Sequence, residues 1–171
     1  MVIKAKRFMI RSYRKSDAPS LAENINNKKI YKALGDIPYP YSLNDARDFI
    51  DQTMKEARKK NPSKLSFVID IDGKVVGAVG FGPIEGHKAQ IGYWLAERYW
   101  GKGIMTEAVK LVTKFGFNEL GFRRIYARAF PFNKASIRVL EKAGYKKEGY
   151  LRKDHMKDGK LMDAHIYARV R

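Results

Sequence analysis

The chain has 171 residues, 35 Lys and Arg against 18 Asp and Glu, a net charge of +17 and no cysteine. That length suits one domain over residues 1–171, burying about two thirds of its unfolded surface. The missing cysteine excludes disulfides, thiolate metal ligands and a thiol nucleophile. Lys4, Lys6 and Arg7 interrupt any apolar leader, and no apolar run nears the ~18 residues of a membrane span, so a cytoplasmic monomer or homodimer is expected.

In chain order, residues 2–12 have strand character, and Ser16 and Asp17 can cap a helix carrying Ala18, Leu21, Ala22 and Ile25 inward. Residues 35–41, Gly-Asp-Ile-Pro-Tyr-Pro-Tyr, cannot be helical throughout, because each proline restricts its predecessor and lacks an amide donor; an exposed aromatic loop that selects substrate is expected. Ser42 caps a long helix with Ala46, Phe49, Ile50, Thr53, Met54 and Ala57 at helical spacing, which Asn61-Pro62 ends. Residues 65–71 and 74–81 read as strands joined by an Asp72-Gly73 hairpin, and Gly82-Pro83 is expected to break the sheet before a strand at 89–95. Further on come a strand at 123–130, a short helix with Ile137, Leu140 and Ala143 inward that Gly144 stops, and strands at 146–152 and 161–169 about the Asp158-Gly159 turn.

The stretch at 91–108 organises the rest. Ile91, Tyr93 and Leu95 share one strand face; Arg98 opens a basic loop with Gly101 and Gly103; then Ile104, Ala108, Leu111, Val112 and Phe115 form one apolar helical stripe, with Glu107, Lys110 and Lys114 opposite. A helix start presents unpaired N–H groups and the positive end of its dipole. Two glycines let consecutive amides curl around an anion, to which Arg98 and Lys102 add full charges. The spacing Gly-x-x-x-x-Gly-Lys-Ser/Thr is absent, and Thr106 occupies the third glycine position of Gly-x-Gly-x-x-Gly.

What does fit is Arg-x-x-Gly-x-Gly. Arg98-Tyr99-Trp100-Gly101-Lys102-Gly103 resembles the acetyl-CoA pyrophosphate loop of the GNAT N-acetyltransferases. The whole of 91–108 and the block 133–145, Asn-Lys-Ala-Ser-Ile-Arg-Val-Leu-Glu-Lys-Ala-Gly-Tyr, resemble the branch of ribosomal-protein N-terminal (alanine/serine) acetyltransferases. The resemblance implies a mixed α/β fold: a central, mostly antiparallel sheet of six or seven strands, splayed in the middle, with helices on both faces. It implies acetyl-CoA as cosubstrate, no metal, and cofactor contacts from Tyr93, Trp94, Leu95, Arg98, Gly101, Lys102, Gly103, Ile104, Met105, Thr106, Asn133 and Ser136, with pantetheine lying along residues 93–95 like an added strand. The implied reaction is acetyl transfer to a primary amine, a protein N-terminus or else a polyamine, amino acid or aminoglycoside. A module that only binds CoA or RNA is the contrasting class.

Amine acylation needs a neutral amine, an acceptor for its proton and a donor for the departing thiolate. Many relatives carry a tyrosine seven residues after the asparagine; here that residue is Leu140, which leaves Ser136 as the catalytic donor, its alternative role being a helix cap. Relatives of this branch commonly carry Glu where this chain has Gln90, which cannot take a proton. The base is open among Glu85, His87, Asp72 and ordered water. His87, His155 and His165 have no metal-ligand spacing. The surplus charge suits a ribosome or another acidic partner, or serves solubility alone.

Overall fold

The computed structural model describes residues 1–171. Residues 2–12 do not form one strand: Ala5 N–H donates to the Phe8 carbonyl at 3.0 Å, folding the run into β1 (Val2–Lys4) and β2 (Met9–Arg11) with Lys6 and Arg7 exposed at the turn. This second N-terminal strand helps bring the sheet to eight strands, where six or seven were expected.

Asp17 stands at the N-cap position of the helix that follows, but its side chain makes no cap bond there. It is buried, accepts both Arg11 Nη–H groups at 2.8 Å and closes a short turn before α1 (Ala18–Ile25). The fully buried Arg11 also donates through Nε to Asp70 at 2.6 Å, so two carboxylates hold its guanidinium protonated and its pKa raised, Asp17 contributing most. α2 (Lys28–Ala33) was not legible in the sequence; it is one and a half turns long, too short for a periodic pattern, and rests on an Asn27 side chain that accepts from Lys29 and Ile30 N–H. α3 (Leu43–Glu56) has the expected Ser42 cap, with a reciprocal bond from Ser42 N–H to Asp45. It stops at Glu56, five residues before Asn61, where the Glu56 carboxylate takes Ser63 N–H at 2.6 Å.

β3 (Leu65–Ile71) and β4 (Lys74–Glu85) pair through Asp72 and Gly73, whose φ values of 53° and 77° are those of a two-residue hairpin turn. Gly82-Pro83 does not end β4. The missing proline N–H is absorbed in a register irregularity between Phe81 and Ile84, and pairing with β5 (Lys88–Leu95) continues to Glu85. After α4 (Ile104–Asn118) come β6 (Arg124–Ala129), α5 (Lys134–Lys142), β7 (Lys146–Lys157) and β8 (Lys160–Val170).

The sheet order is β1-β2-β3-β4-β5-β6-β8-β7, antiparallel except between β5 and β6. One face packs α4 and α5 over a 23-residue core that includes Ile91, Leu95, Ile104, Ala108, Ile125 and Leu140; the other packs α1 and α3 over an 11-residue core that includes Leu21, Ile50, Val68 and Ala78. Each fully buried aliphatic side chain of these cores contributes about 1.5–3 kcal/mol. Between these two layers lies the sheet's one parallel pairing, that of β5 with β6.

Candidate active site at the splayed strands

β5 and β6 pair at three positions only, Lys88 with Arg124, Ala89 with Ile125 and Gln90 with Tyr126; from Ile91 onwards the strands part. Ala96 N–H donates to the Val76 carbonyl of β4 at 2.8 Å. Alternation along β5 therefore turns the backbone of Trp94 towards β4 and that of Tyr93 and Leu95 into the opening. The Leu95 carbonyl is taken by the Trp100 indole N–H at 2.7 Å, and the half-buried Trp94 ring packs on the α1/α3 core. The free strand edge is thus narrower than residues 93–95 as a block.

At the end of β5 the chain makes a single turn at Glu97–Tyr99 and reaches α4 through Gly101 and Gly103, at φ 74° and 75°. Gly103 is the N-cap and supplies no side-chain bond, so the first-turn amides of α4 point outward without a partner, while the side chains of Ile104 and Met105 are buried in the core beneath. Arg98 and Lys102 lie over the Tyr99 ring at 5.2 and 5.5 Å, and neither forms an ion pair. Arg7, at the β1–β2 turn, donates to the Lys102 carbonyl at 2.6 Å and lies 3.5 Å from Glu107. It clamps the loop from a position 95 residues away, for which the sequence offers no signal.

Across the opening, Asn133 caps α5 by accepting Ser136 N–H at 3.1 Å. The capping role belongs to Asn133, and the Ser136 hydroxyl is left for another contact: its Oγ lies 2.9 Å from the Tyr93 hydroxyl, which is also 3.3 Å from the Ser136 carbonyl. Burial pushes the Tyr93 phenol pKa well above its ordinary value, against a smaller opposing pull from Ser136, so the phenol keeps its proton at neutral pH. Leu140 is fully buried in the core. Residue 140 thus brings no hydroxyl to the opening, whereas Ser136 and Tyr93 bring two, 2.9 Å apart.

Of the proposed bases, Glu85 pairs with Lys88 at 3.2 Å beside the β4–β5 turn, His87 sits in that turn at the closed end of the gap, and Asp72 is the exposed start of the β3–β4 turn. None is among the groups gathered near Gln90. There the Arg128 guanidinium donates to Gln90 Oε1 at 3.1 Å and pairs with Asp154 at 3.2 Å, on an Asp154 side chain only 18% exposed. A register shift in β7 between Leu151 and His155, with Lys153 at φ 54° and its N–H on Asp163, turns Asp154 towards Arg128. The loop 35–41 lies beside the same hairpin: Lys157 Nζ donates to the Gly35 carbonyl at 3.0 Å, and His155 Nε2 is 3.7 Å from Asp36. Its aromatics are only partly exposed. Tyr39 is open to solvent, but Tyr41 is buried, its phenol pushed up to about 12 by that burial and secondarily by Asp45.

Residues 7–146 match the family described as acetyltransferase (GNAT) domain. The chain belongs to the GNAT acetyltransferase family. Among curated relatives of this GNAT enzyme, the probable N-acetyltransferase YjcK of Bacillus subtilis is 34% identical over 98% of the chain and 96% of its own length. The putative ribosomal N-acetyltransferase YdaF of the same organism is 30% identical over 84% of the chain and 80% of its own. Among solved structures, the microcin C7 self-immunity acetyltransferase MccE in complex with acetyl-CoA and AMP superposes with a TM-score of 0.87 at 28% identity, covering 98% and 94% of the two chains. The fold is therefore shared over nearly the whole of both chains.

Proposed function

We propose that this N-acetyltransferase moves the acetyl group of acetyl-CoA to the N-terminal α-amine of a protein, with ribosomal proteins as the acceptor class. The observation that carries the reading is the Tyr93–Ser136 hydroxyl pair, set in the gap between β5 and β6 near a helix start flanked by two unpaired cations. The unpartnered amides of α4, the left-handed glycines and free Arg98 and Lys102 fit a pyrophosphate. Tyr93 and Leu95 offer backbone groups to an extended pantetheine. Bound acetyl-CoA supplies an activated thioester.

The roles of the side chains follow from proton accounting. Amine attack forms a C–N bond and breaks the C–S bond, leaving an electron pair on sulfur and one proton too many on nitrogen. Tyr93 donates to Ser136 Oγ, which frees the Ser136 proton for the sulfur. Asp154 accepts the amine proton, directly or through one water, from the position that Arg128 shares with Gln90: a carboxylate absent at residue 90 is regained beside it from β7. Solvent exchange then returns the proton to Ser136. The residues of this arrangement run from Arg7 to Asp154, which supports one N-acetyltransferase domain over residues 1–171. The acceptor class is supported by the YdaF relative, and an enzyme with that acceptor works in the cytoplasm, where new ribosomal proteins and acetyl-CoA meet.

Initial rates against peptides beginning with Ala or Ser, spermidine, free amino acids and an aminoglycoside test this reading. kcat/KM at least tenfold higher for peptides is expected. A higher value for any small amine overturns the acceptor, and CoA binding without turnover on any amine overturns the enzyme assignment. Asp154→Asn should lose rate most at neutral pH and recover as pH rises, because the amine then sheds its own proton.

A further inference from the structure

A second charged site lies away from the opening. Lys110 and Lys114 of α4, Lys142 at the end of α5, and Arg169 and Arg171 at the end of β8 line an open concavity of about 670 Å³, together with Phe117 and Asn118. No Asp or Glu lines it. Two of its cations are held in place: Arg169 Nη1 donates to the Ala143 carbonyl at 3.0 Å, and Arg171 Nη1 donates to the Phe117 carbonyl at 2.9 Å and to Asn118 at 2.8 Å. All five cations are solvent-exposed, and none forms an ion pair. Lys110 and Asn118 stand about 9 and 21 Å along α4 from Ile104 at 1.5 Å per residue, so this is not the cradle at the helix start.

We propose that this concavity binds the phosphate backbone of RNA. Five converging cations with no Asp or Glu among them repel one another, a cost to the folded protein until polyanionic phosphate neutralises them. The contacts on offer are purely electrostatic. No exposed aromatic ring faces the site to stack a base, since Phe117 is partly buried against the core, and no carboxylate stands ready for a ribose hydroxyl. That favours a repeating backbone over a single nucleotide. The surplus of +17 spread over the whole chain likewise suits a long, uniform polyanion better than one acidic peptide. The site stands independently of the acceptor proposed above, because binding at it needs neither acetyl-CoA nor an amine.

The test is fluorescence anisotropy of a labelled unstructured 20-nucleotide RNA over a series of salt concentrations, with a poly-glutamate peptide as a second probe. The variants are Lys110→Gln/Lys114→Gln/Lys142→Gln and a control, Lys55→Gln/Lys60→Gln/Lys74→Gln, that removes the same charge from exposed positions elsewhere. None of these lysines makes a side-chain hydrogen bond, so folding should persist, as checked by Tm. The first triple should weaken RNA binding more than about tenfold and flatten the slope of log K against log salt by about 2, near 0.7 per lost phosphate contact. The control triple should change both much less, and acetyl-CoA affinity should be unchanged throughout. Equal losses in the two triples would reduce the effect to overall charge and overturn the site. So would RNA binding untouched by the first triple. Loss of poly-glutamate binding with RNA binding intact would assign the concavity to an acidic protein instead.

Discussion

Ser136→Ala separates the proposed donor role from capping, because the two fall on different atoms. The cap is Asn133 Oδ1 on Ser136 N–H at 3.1 Å, and it survives the substitution. The Tyr93 hydroxyl loses its 2.9 Å partner but keeps the Ser136 carbonyl at 3.3 Å, so no buried donor is orphaned. The stability cost should therefore be one ordinary hydrogen bond, about 1 kcal/mol or less. The expected loss in kcat is tenfold to a thousandfold, about 1.4–4 kcal/mol of transition-state stabilisation, because a donor aimed at developing charge has gone. Tyr93→Phe should fall in the same range. The double variant should be scarcely worse than either single one, since the two hydroxyls act as a unit. Stopped-flow detection of released CoA thiol gives kcat and KM for all three, and CoA titration confirms that each binds. Near-normal kcat in Ser136→Ala, or strictly additive losses in the double variant, would refute a coupled proton donor. Asn133→Ala is the converse control and should cost about 1 kcal/mol of stability.

Other perturbations follow from the same contacts. Gly101→Val/Gly103→Val places branched side chains at φ near +75°, costing about 1–2 kcal/mol per residue, and obstructs an approaching phosphate; calorimetric titration should show at least tenfold weaker CoA binding. Arg11→Ala strands the buried Asp17 and Asp70 and should cost about 3–5 kcal/mol in urea unfolding, whereas Arg11→Met with Asp17→Asn and Asp70→Asn should recover part of it. The Tyr41 and Tyr145 phenols are both pushed up to about 12, burial being the first cause. Their folded pKa lies above the unfolded value near 10, so their contribution is intact below pH 10 and is lost as pH rises towards 12, at most about 1.4 kcal/mol per pH unit each. Tm measured between pH 9 and 12 should fall in that window, and less steeply in Tyr145→Phe.

Most of the architecture was legible because it is written in local chemistry. Ser42 with Asp45, Asp72 with Gly73, and the stripe Ile104-Ala108-Val112 each specify their element within a few residues. The fold-back at Ala5–Phe8 and the short α2 were missed because neither is long enough to show a period. Gly82-Pro83 reads as a strand end in sequence yet lies within β4, because proline forbids a ladder bond but not a bulge. The left-handed turns that lead into α4 are readable from Gly101 and Gly103, and the Arg7 bond to the Lys102 carbonyl is not, being a contact between distant turns. Nor could the sequence show that Tyr93 meets Ser136, or that a register shift at Leu151–His155 brings Asp154 to Arg128. Those depend on how strands part and bulge, which residue spacing does not encode.

Amide hydrogen exchange with and without acetyl-CoA tests the location of the site most directly. Protection should appear at Tyr93 and Leu95, across residues 101–106, and at the first turn of α5 around Ser136, with the concavity at Lys110, Lys142 and Arg169 unaffected. Tight acetyl-CoA binding that leaves the amides of residues 101–106 unprotected, or protects the far end of α4 instead, would contradict a cofactor site in the gap between β5 and β6.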